Sequence, residues 1–376
     1  MRKRWCKNET TGRFENIVKV QFFIKKGNSM KVVHMGGGLG NQMASYATLV
    51  AARLANPNDK FFIETLVYNI SEADKSCCQW NGYELEKVFG IHEKNVLDEL
   101  NEYEKVQIIK DLCDTKFWEE DKEDLCIAQI LNKYGFPNQY ADIHNSIEKT
   151  NYIFNNIKCK CLTYLNKQSN FYFEYFLKNN IKKILIGKFP KPIVGYKKRN
   201  ENYYYPACTF EFMKTNWLQK KIGNELLKAF QFKPINDEKN LRLMKIIEEN
   251  NSVSIHARRS DFLKYNNDCY KFGYFKRCVS FIRKKVDNPI WIIFSEESEW
   301  CRKNLNVFGL DYESDKVFFV DWNLGYESYR DMQLMSLCKH NITTKSSFGW
   351  WASFLNQNPN KITCSQIGEY ITTNQF

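Results

Sequence analysis

KVVHMGGGLGNQMASYATLVAARLA, residues 31–55, decides the fold. Lys31–Met35 reads as a buried strand that runs straight into three consecutive glycines, Gly36–Gly38. From Asn41 onward, Met43, Ala47, Val50, Ala51 and Leu54 recur at helical spacing, and the run stops before Asn56–Pro57. A strand, a glycine turn and a helix in this order form the first unit of an α/β sheet. Glycines let the backbone approach a ligand, and the helix N-terminus behind them favours negative charge. Yet GGGLGNQM lacks the Lys-Ser/Thr ending of a phosphate-binding P-loop, and Asn41 stands where the dinucleotide fingerprint has its third glycine. A purely structural turn would use the same glycines; the polar pair Asn41 and Gln42 favours ligand contact.

The same alternation returns after Pro234. Ser252–Ala257 reads as a strand, Phe275, Cys278, Val279, Ile282 and Val286 as one helix face, and Pro289–Ser295 and Val317–Val320 as two more strands. Tyr329–Cys338 follows as a helix and Asn341–Thr344 as a fourth strand. Strands alternating with helices imply a parallel sheet with right-handed crossovers. Between about 95 and 225 the periodicity is weak, and Asn170–Leu177 and Ile181–Ile186 fit helix or strand alike. Three units result: a basic extension at 1–29, a first lobe at 30–230 and a second at 231–376.

A chain of 376 residues is long enough for about two domains, and its 43% hydrophobic content supports sizeable cores. No apolar run approaches the length of a membrane helix, and Lys19 and Gln21 interrupt the one apolar patch near the N-terminus, which points to a cytoplasmic protein. Of the net charge of +12, residues 1–30 carry +6, so the body is only mildly basic. That suits an anionic nucleotide and a peripheral contact with an anionic membrane face, and it lacks the clustered stripe that nucleic acid requires. The 13 cysteines, among them Cys77, Cys78, Cys159 and Cys161, show no zinc spacing and read as reduced structural thiols.

Three motifs carry candidate chemistry, each where a strand hands over to a loop. In IHARRSD, residues 255–261, Arg258 and Arg259 face opposite ways if the strand continues, so one of them can grip phosphate. Arg259 is assigned to a structural pair with an aspartate, and His256 to a hydrogen-bonded core position. Ser295, Glu296 and Glu297 follow the strand ending at Phe294, and Ser346, Ser347 and Phe348 follow the last strand. Hydroxyls at such ends hold ribose, base or phosphate; Ser346–Ser347 could equally cap the helix that carries Trp350 and Trp351. No Asp-x-Asp pair occurs anywhere in the chain, which favours a leaving group neutralised by arginine rather than by a divalent ion.

Together GGGLGNQM, NGYELEKVF (81–89), IHARRSD and DMQLMSLCKHNITTKSSFGWW (331–351) resemble the α-1,2-fucosyltransferases, family 11 of the glycosyltransferases. The resemblance covers roughly Met30 to Leu355. It implies two Rossmann-like α/β lobes of the GT-B type, and inverting transfer of L-fucose from GDP-β-L-fucose to the 2-hydroxyl of a terminal galactose. The acceptor would be a galactose-terminated oligosaccharide or lipid-linked glycan, and no metal or other cofactor is implied. Residue by residue, Arg258 would grip the diphosphate, with His256 and Asp261 shaping its loop. Gly38, Leu39 and Asn41 would approach the donor from the first lobe. Ser295, Glu296 and Glu297 would lie by the nucleoside, and Ser346, Ser347 and Phe348 by phosphate and base. Ser260, Glu296–Glu297 and Gly349 depart from the family's usual glycine, Asp-Asp and serine. The base that takes the acceptor's proton is unassigned; Glu296, Glu297, Asp261 and Asp331 are chemically able. An α-1,6- or protein O-fucosyltransferase, or a nucleotide-sugar-binding protein without catalysis, are the alternatives.

Overall fold

The computed structural model describes residues 29–74, 81–120, 122–140, 201–206, 211–214, 216–366 and 371–373. The tail before Ser29, the segments at 170–177 and 181–186, and the cysteines at 77, 78, 159 and 161 lie outside the described residues.

The first sheet is parallel, in the order β2-β1-β3, with β1 at Met30–His34. The glycine turn leads into α1, Leu39–Ala55, and the chain returns through β2, Lys60–Glu64. Residues on β1 alternate between faces, so Val32 and Val33 enter different cores. Beneath Val32 lie α2, Glu102–Asp114, and α3, Glu123–Lys133; β3, Tyr203–Tyr205, closes the sheet. Above Val33 lies α1, whose Met43, Ala47, Val50 and Ala51 are buried as their spacing predicts. Leu54 departs from that pattern and stays about half exposed in the last turn, where the backbone and side chain of Asn56 close the helix on Ala52.

Two helices, α4 at Asn216–Ala229 and α5 at Glu238–Glu249, lead to the second sheet. Its strand order is β6-β5-β4-β7-β8-β9. β4, Asn251–His256, is followed by α6, Leu263–Lys271, and α7, Tyr274–Arg283. β5, Pro289–Phe294, and β6, Val317–Val320, add successive parallel strands on one side. The chain then crosses back through α8, Tyr329–Leu337, to place β7, His340–Ile342, on the other side of β4. α9, Ser347–Leu355, and the strands β8, Ile362–Cys364, and β9, Ile371–Thr373, complete the lobe; β9 alone runs antiparallel. Reversal of direction at β4 and β7 makes their carboxyl ends a topological switch point, the crevice where open α/β sheets take ligands.

Phe275, Cys278, Val279, Ile282 and Val286 are all buried on one face of this sheet. Its other face shares a continuous core with the first lobe, running from Val33 and α1 through Phe212 and Phe230 to Trp350, Trp351 and Phe354. Cys269, Cys278, Cys301, Cys338 and Cys364 are buried free thiols. Among the described residues no helix is long and apolar enough to cross a membrane.

Candidate functional site

The glycine turn is built by contacts that leave no room for side chains. A Cβ on Gly36 would fall 2.3 Å from His34 Nε2, and Gly37 has φ +69°, the left-handed region that glycine adopts without strain. The polar pair behind the turn has divided tasks. Gln42, fully buried, donates through Nε2 to the carbonyls of Gly37 and Gly82, both at 2.9 Å, and its Oε1 accepts the Glu84 N–H at 2.8 Å. It is a structural clamp rather than a ligand contact. Asn41 faces the other lobe and accepts a 2.7 Å bond from Ser347 Oγ. Gly38 is the N-cap of α1, and its carbonyl accepts the N–H groups of Asn41 and Gln42.

The positive end of α1, expected to attract a ligand's charge, already holds a carboxylate of the protein. Leu39 N–H donates to Glu84 Oε2 at 3.1 Å, and the Leu39 side chain is in the core. Burial raises the Glu84 carboxyl above its ordinary range, against the bonds from Asn81 and Leu39. The structure therefore gives Leu39 an internal partner, not a donor-facing one.

On the opposite lobe, the two arginines diverge. Arg259 is buried, donates from Nε to Glu297 Oε2 at 2.8 Å, and lies flat on Trp300 with its guanidinium carbon 3.3 Å from the ring centre. It is the structural arginine, with a glutamate for the expected aspartate. Glu296 Oε1 accepts the Arg259 backbone N–H at 2.7 Å, and Glu297 Oε1 accepts that of Ser260 at 2.9 Å. Ser295 Oγ donates to the Ala257 carbonyl at 2.8 Å and accepts from Glu297 N. Ser295, Glu296 and Glu297, expected beside a nucleoside, thus spend their bonds on the arginine loop. Ser260 sits at φ +43°, which explains why glycine suits this place and what the serine costs, roughly 1–2 kcal/mol. Asp261 has its backbone in the turn Ser260–Phe262; its side chain lies outside the described residues.

Arg258 is left at the crevice. Its side chain is 14% exposed and its Nη1 lies 3.6 Å from Glu296 Oε1, a loose pairing for a group that never loses its charge. Burial raises the Glu296 carboxyl, and Arg258 opposes the rise. Next to it, His256 is buried and neutral, its pKa lowered to about 3 by burial and by the Arg258 charge. Its Nδ1 has no hydrogen-bond partner, unlike the satisfied core histidine the sequence suggests. Nδ1 faces Gly349, where a Cβ would stand 2.5 Å away, so the place has room for no side chain larger than glycine. Thr344 Oγ1, just past β7, is likewise buried without a partner. An arginine and a neutral histidine together at a switch point fit a polar anionic ligand.

Ser346 occupies the N-cap of α9 but makes no side-chain capping bond. Ser347 bonds Asn41, Trp351 Nε1 donates to the Gly40 carbonyl at 2.9 Å, and a Cβ on Gly40 would lie 2.6 Å from the Phe348 nitrogen. Phe348 is half-buried beside the His256 ring, 5.6 Å between centres. Gly38, Asn41, Ser347, Phe348, His256 and Arg258 are therefore brought to one seam. Gly40 and Glu84, which the sequence did not single out, set its closeness; the signal for Gly40 was a fourth glycine, placed inside a helix.

A two-lobed α/β protein with an arginine at its switch point is one class among known proteins. Residues 119–366 match Glycosyl transferase family 11, more than half of the chain, and the chain belongs to that family. It is 34% identical over 186 residues to an alpha-1,2-colitosyltransferase of Escherichia coli, covering 45% of this chain and 61% of that protein. It is 30% identical over 108 residues to galactoside 2-alpha-L-fucosyltransferase SEC1 of Bos taurus, covering 27% of this chain and 28% of that one. The chain thus spans less than two thirds of the length of either relative. Among solved structures, the NodZ alpha-1,6-fucosyltransferase co-crystallised with GDP aligns over 93% of this chain and 99% of its own, at 12% identity and a TM-score of 0.45.

Proposed function

We propose that the protein transfers L-fucose from GDP-β-L-fucose to the 2-hydroxyl of a terminal galactose, with inversion and without a metal ion. Membership of family 11, with α-1,2 transferases among the relatives, supports the class. The observation that carries the site is Arg258 at the switch point beside the buried, neutral His256. Breaking the sugar–phosphate bond puts charge on the diphosphate. Arg258 meets that charge with a planar fork fixed beforehand by its loop, the preorganisation that lowers a barrier most. His256, neutral at working pH, stands beside Arg258 without repelling it, and because its Nδ1 faces Gly349, Nε2 is the nitrogen it has for the same group. In this reading residues 231–376 hold the donor and 30–230 face the acceptor, on the cytoplasmic side, with peripheral contact at an anionic membrane.

A second donor is favoured by one finding, the 34% identity to an α-1,2-colitosyltransferase. Incubation with GDP-fucose and GDP-colitose against a panel of β-galactosides, followed by NMR of the linkage, separates the two. Arg258→Ala should lower kcat by ~10²–10³, about 3–4 kcal/mol, in a folded protein, and Arg258→Lys should fall clearly short of wild type because the fork is lost. Near-normal turnover by folded Arg258→Ala refutes the assignment.

A further inference from the structure

The carboxyl end of the first sheet carries an ionic cluster that the donor site does not use. His34 and Glu64 end β1 and β2 and are paired in register, so their side chains meet at the sheet's edge. His34 is fully buried, and its Nδ1 is hydrogen-bonded to Glu64 Oε1. The same Glu64 oxygen accepts from Tyr204 OH at 3.2 Å, and its other oxygen accepts from Leu66 N–H at 3.0 Å. Glu64 is thus held on every side. On the far side of the ring, Nε2 lies 2.9 Å from Glu123 Oε1, at the first residue of α3. Glu123 differs from Glu64 in one respect: its side chain is 32% exposed.

Burial alone would lower the His34 pKa, but the two carboxylates outweigh it and hold it well above 6.5, so the ring is an imidazolium. Burying a cation between two anions is a poor way to gain stability when an apolar side chain would fill the same space. A strongly perturbed titratable group held by specific charge partners at a strand's carboxyl end is a candidate functional group. Its place agrees. The ring sits directly under the glycine turn, with Nε2 where a Cβ on Gly36 would be. Four residues on, the same turn touches the donor lobe through Gly40 and Asn41. Three of the four acids considered from sequence have other duties: Glu297 holds Arg259 and Ser260, Glu296 holds the loop beside Arg258, and Asp331 accepts from Asn323 at 2.8 Å; the side chain of the fourth, Asp261, lies outside the described residues.

We propose that Glu123 is the base that takes the acceptor hydroxyl proton, and that His34, fixed by Glu64, is the positioning residue that aims it. This rests on the transfer reading above. In the step, the acceptor oxygen bonds to the sugar's anomeric carbon as the carbon–oxygen bond to diphosphate breaks. The electron pair leaves with the diphosphate, and the hydroxyl proton moves to the Glu123 carboxylate. His34 keeps both of its protons throughout.

The test uses the full chain with donor sugar nucleotide and a β-galactoside, measuring transfer against pH together with GDP affinity by calorimetry. Glu123→Gln should lower kcat by ~10²–10⁴ with GDP affinity unchanged, and should lose the acidic limb of the rate profile. Formate should rescue Glu123→Ala. His34→Gln leaves Glu123 present but unaimed, so kcat should fall at least tenfold with GDP affinity and acceptor KM unchanged, a split that a merely structural histidine would not produce. The charged and titratable groups around the pair are Glu64 from β2, Asp124 from α3, and Tyr204 and Tyr140, none of which either variant alters. If Glu123→Gln folds poorly, Glu123→Asp should still show at least a tenfold loss of kcat at unchanged GDP affinity. Wild-type transfer with full activity in these variants, or a Glu123→Ala protein that formate does not rescue, overturns the proposal alone. A wild-type chain that transfers no sugar overturns the transfer reading and the proposal with it.

Discussion

Replacing Gly40 by alanine adds one methyl group where the two lobes meet, and the consequence follows from distances. The new Cβ would stand 2.6 Å from the Phe348 nitrogen, 2.8 Å from Ser347 Oγ and 2.9 Å from the Phe348 Cα. Ordinary contact begins at 3.4 Å, so the shortfall is about 0.8 Å. Two of the three obstructing atoms are backbone at the start of α9 and have no rotamer to change. The seam must widen, and the same movement stretches the 2.9 Å bond from Trp351 to Gly40 and the 2.7 Å bond from Ser347 to Asn41. Overpacking costs roughly 1–3 kcal/mol and each weakened bond ~0.5–1.5 kcal/mol. Because one displacement causes all of it, the total should be about 2–4 kcal/mol. Calorimetric melting should show a Tm several degrees lower, and if the proposed transfer uses this seam, kcat should fall as Asn41 is displaced from Ser347. Gly223→Ala is the control: in α4, its Cβ would meet Phe354 at 3.7 Å, an ordinary contact, and alanine in a helix should stabilise by ~1 kcal/mol. Equal melting temperatures for the two variants would refute the reasoning.

Asp331 has its carboxyl pushed up to about 7 by burial, against the Asn323 hydrogen bond. A raised acid stabilises the fold below its unfolded value near 4, and that stability is lost as pH climbs through about 7. The melting temperature of Asp331→Asn should therefore gain on wild type between pH 4 and 8, and a gap that stays flat refutes the assignment. Turnover should survive excess EDTA, since the chain has no Asp-x-Asp pair; activity abolished by chelation and restored by Mn²⁺ would refute the metal-free departure.

The sheet was legible because its signals are local: Val317–Val320 reads as a strand from four apolar residues, and the strand lies there. Arg258 and Arg259 were separable in principle by strand alternation, but the sequence could not show that Trp300 would take the face of Arg259. Glu296 and Glu297 look like ligand contacts because they follow a strand. Their actual bonds to Arg259 and Ser260 span 37 or 38 positions, a pairing that no spacing announces. Glu84 and Glu123 escaped notice for the same reason. Each meets its partner across a turn of chain with no periodicity, and only the fold joins Leu39 to Glu84 or His34 to Glu123.

The unbroken apolar core beneath the seam governs how the molecule comes apart. Phe230 from the first half meets Trp351 from the second edge to face, 5.2 Å between ring centres, and Phe212 lies parallel to the same indole. Hinged enzymes open along a polar, wetted boundary; here the boundary is oil. Any exchange of a bound ligand should then rely on loops rather than on a swing of whole lobes, and heat should melt both halves in one transition. Cutting the chain between α4 and α5 would leave each fragment with a sticky aromatic wound, so neither half should remain soluble alone.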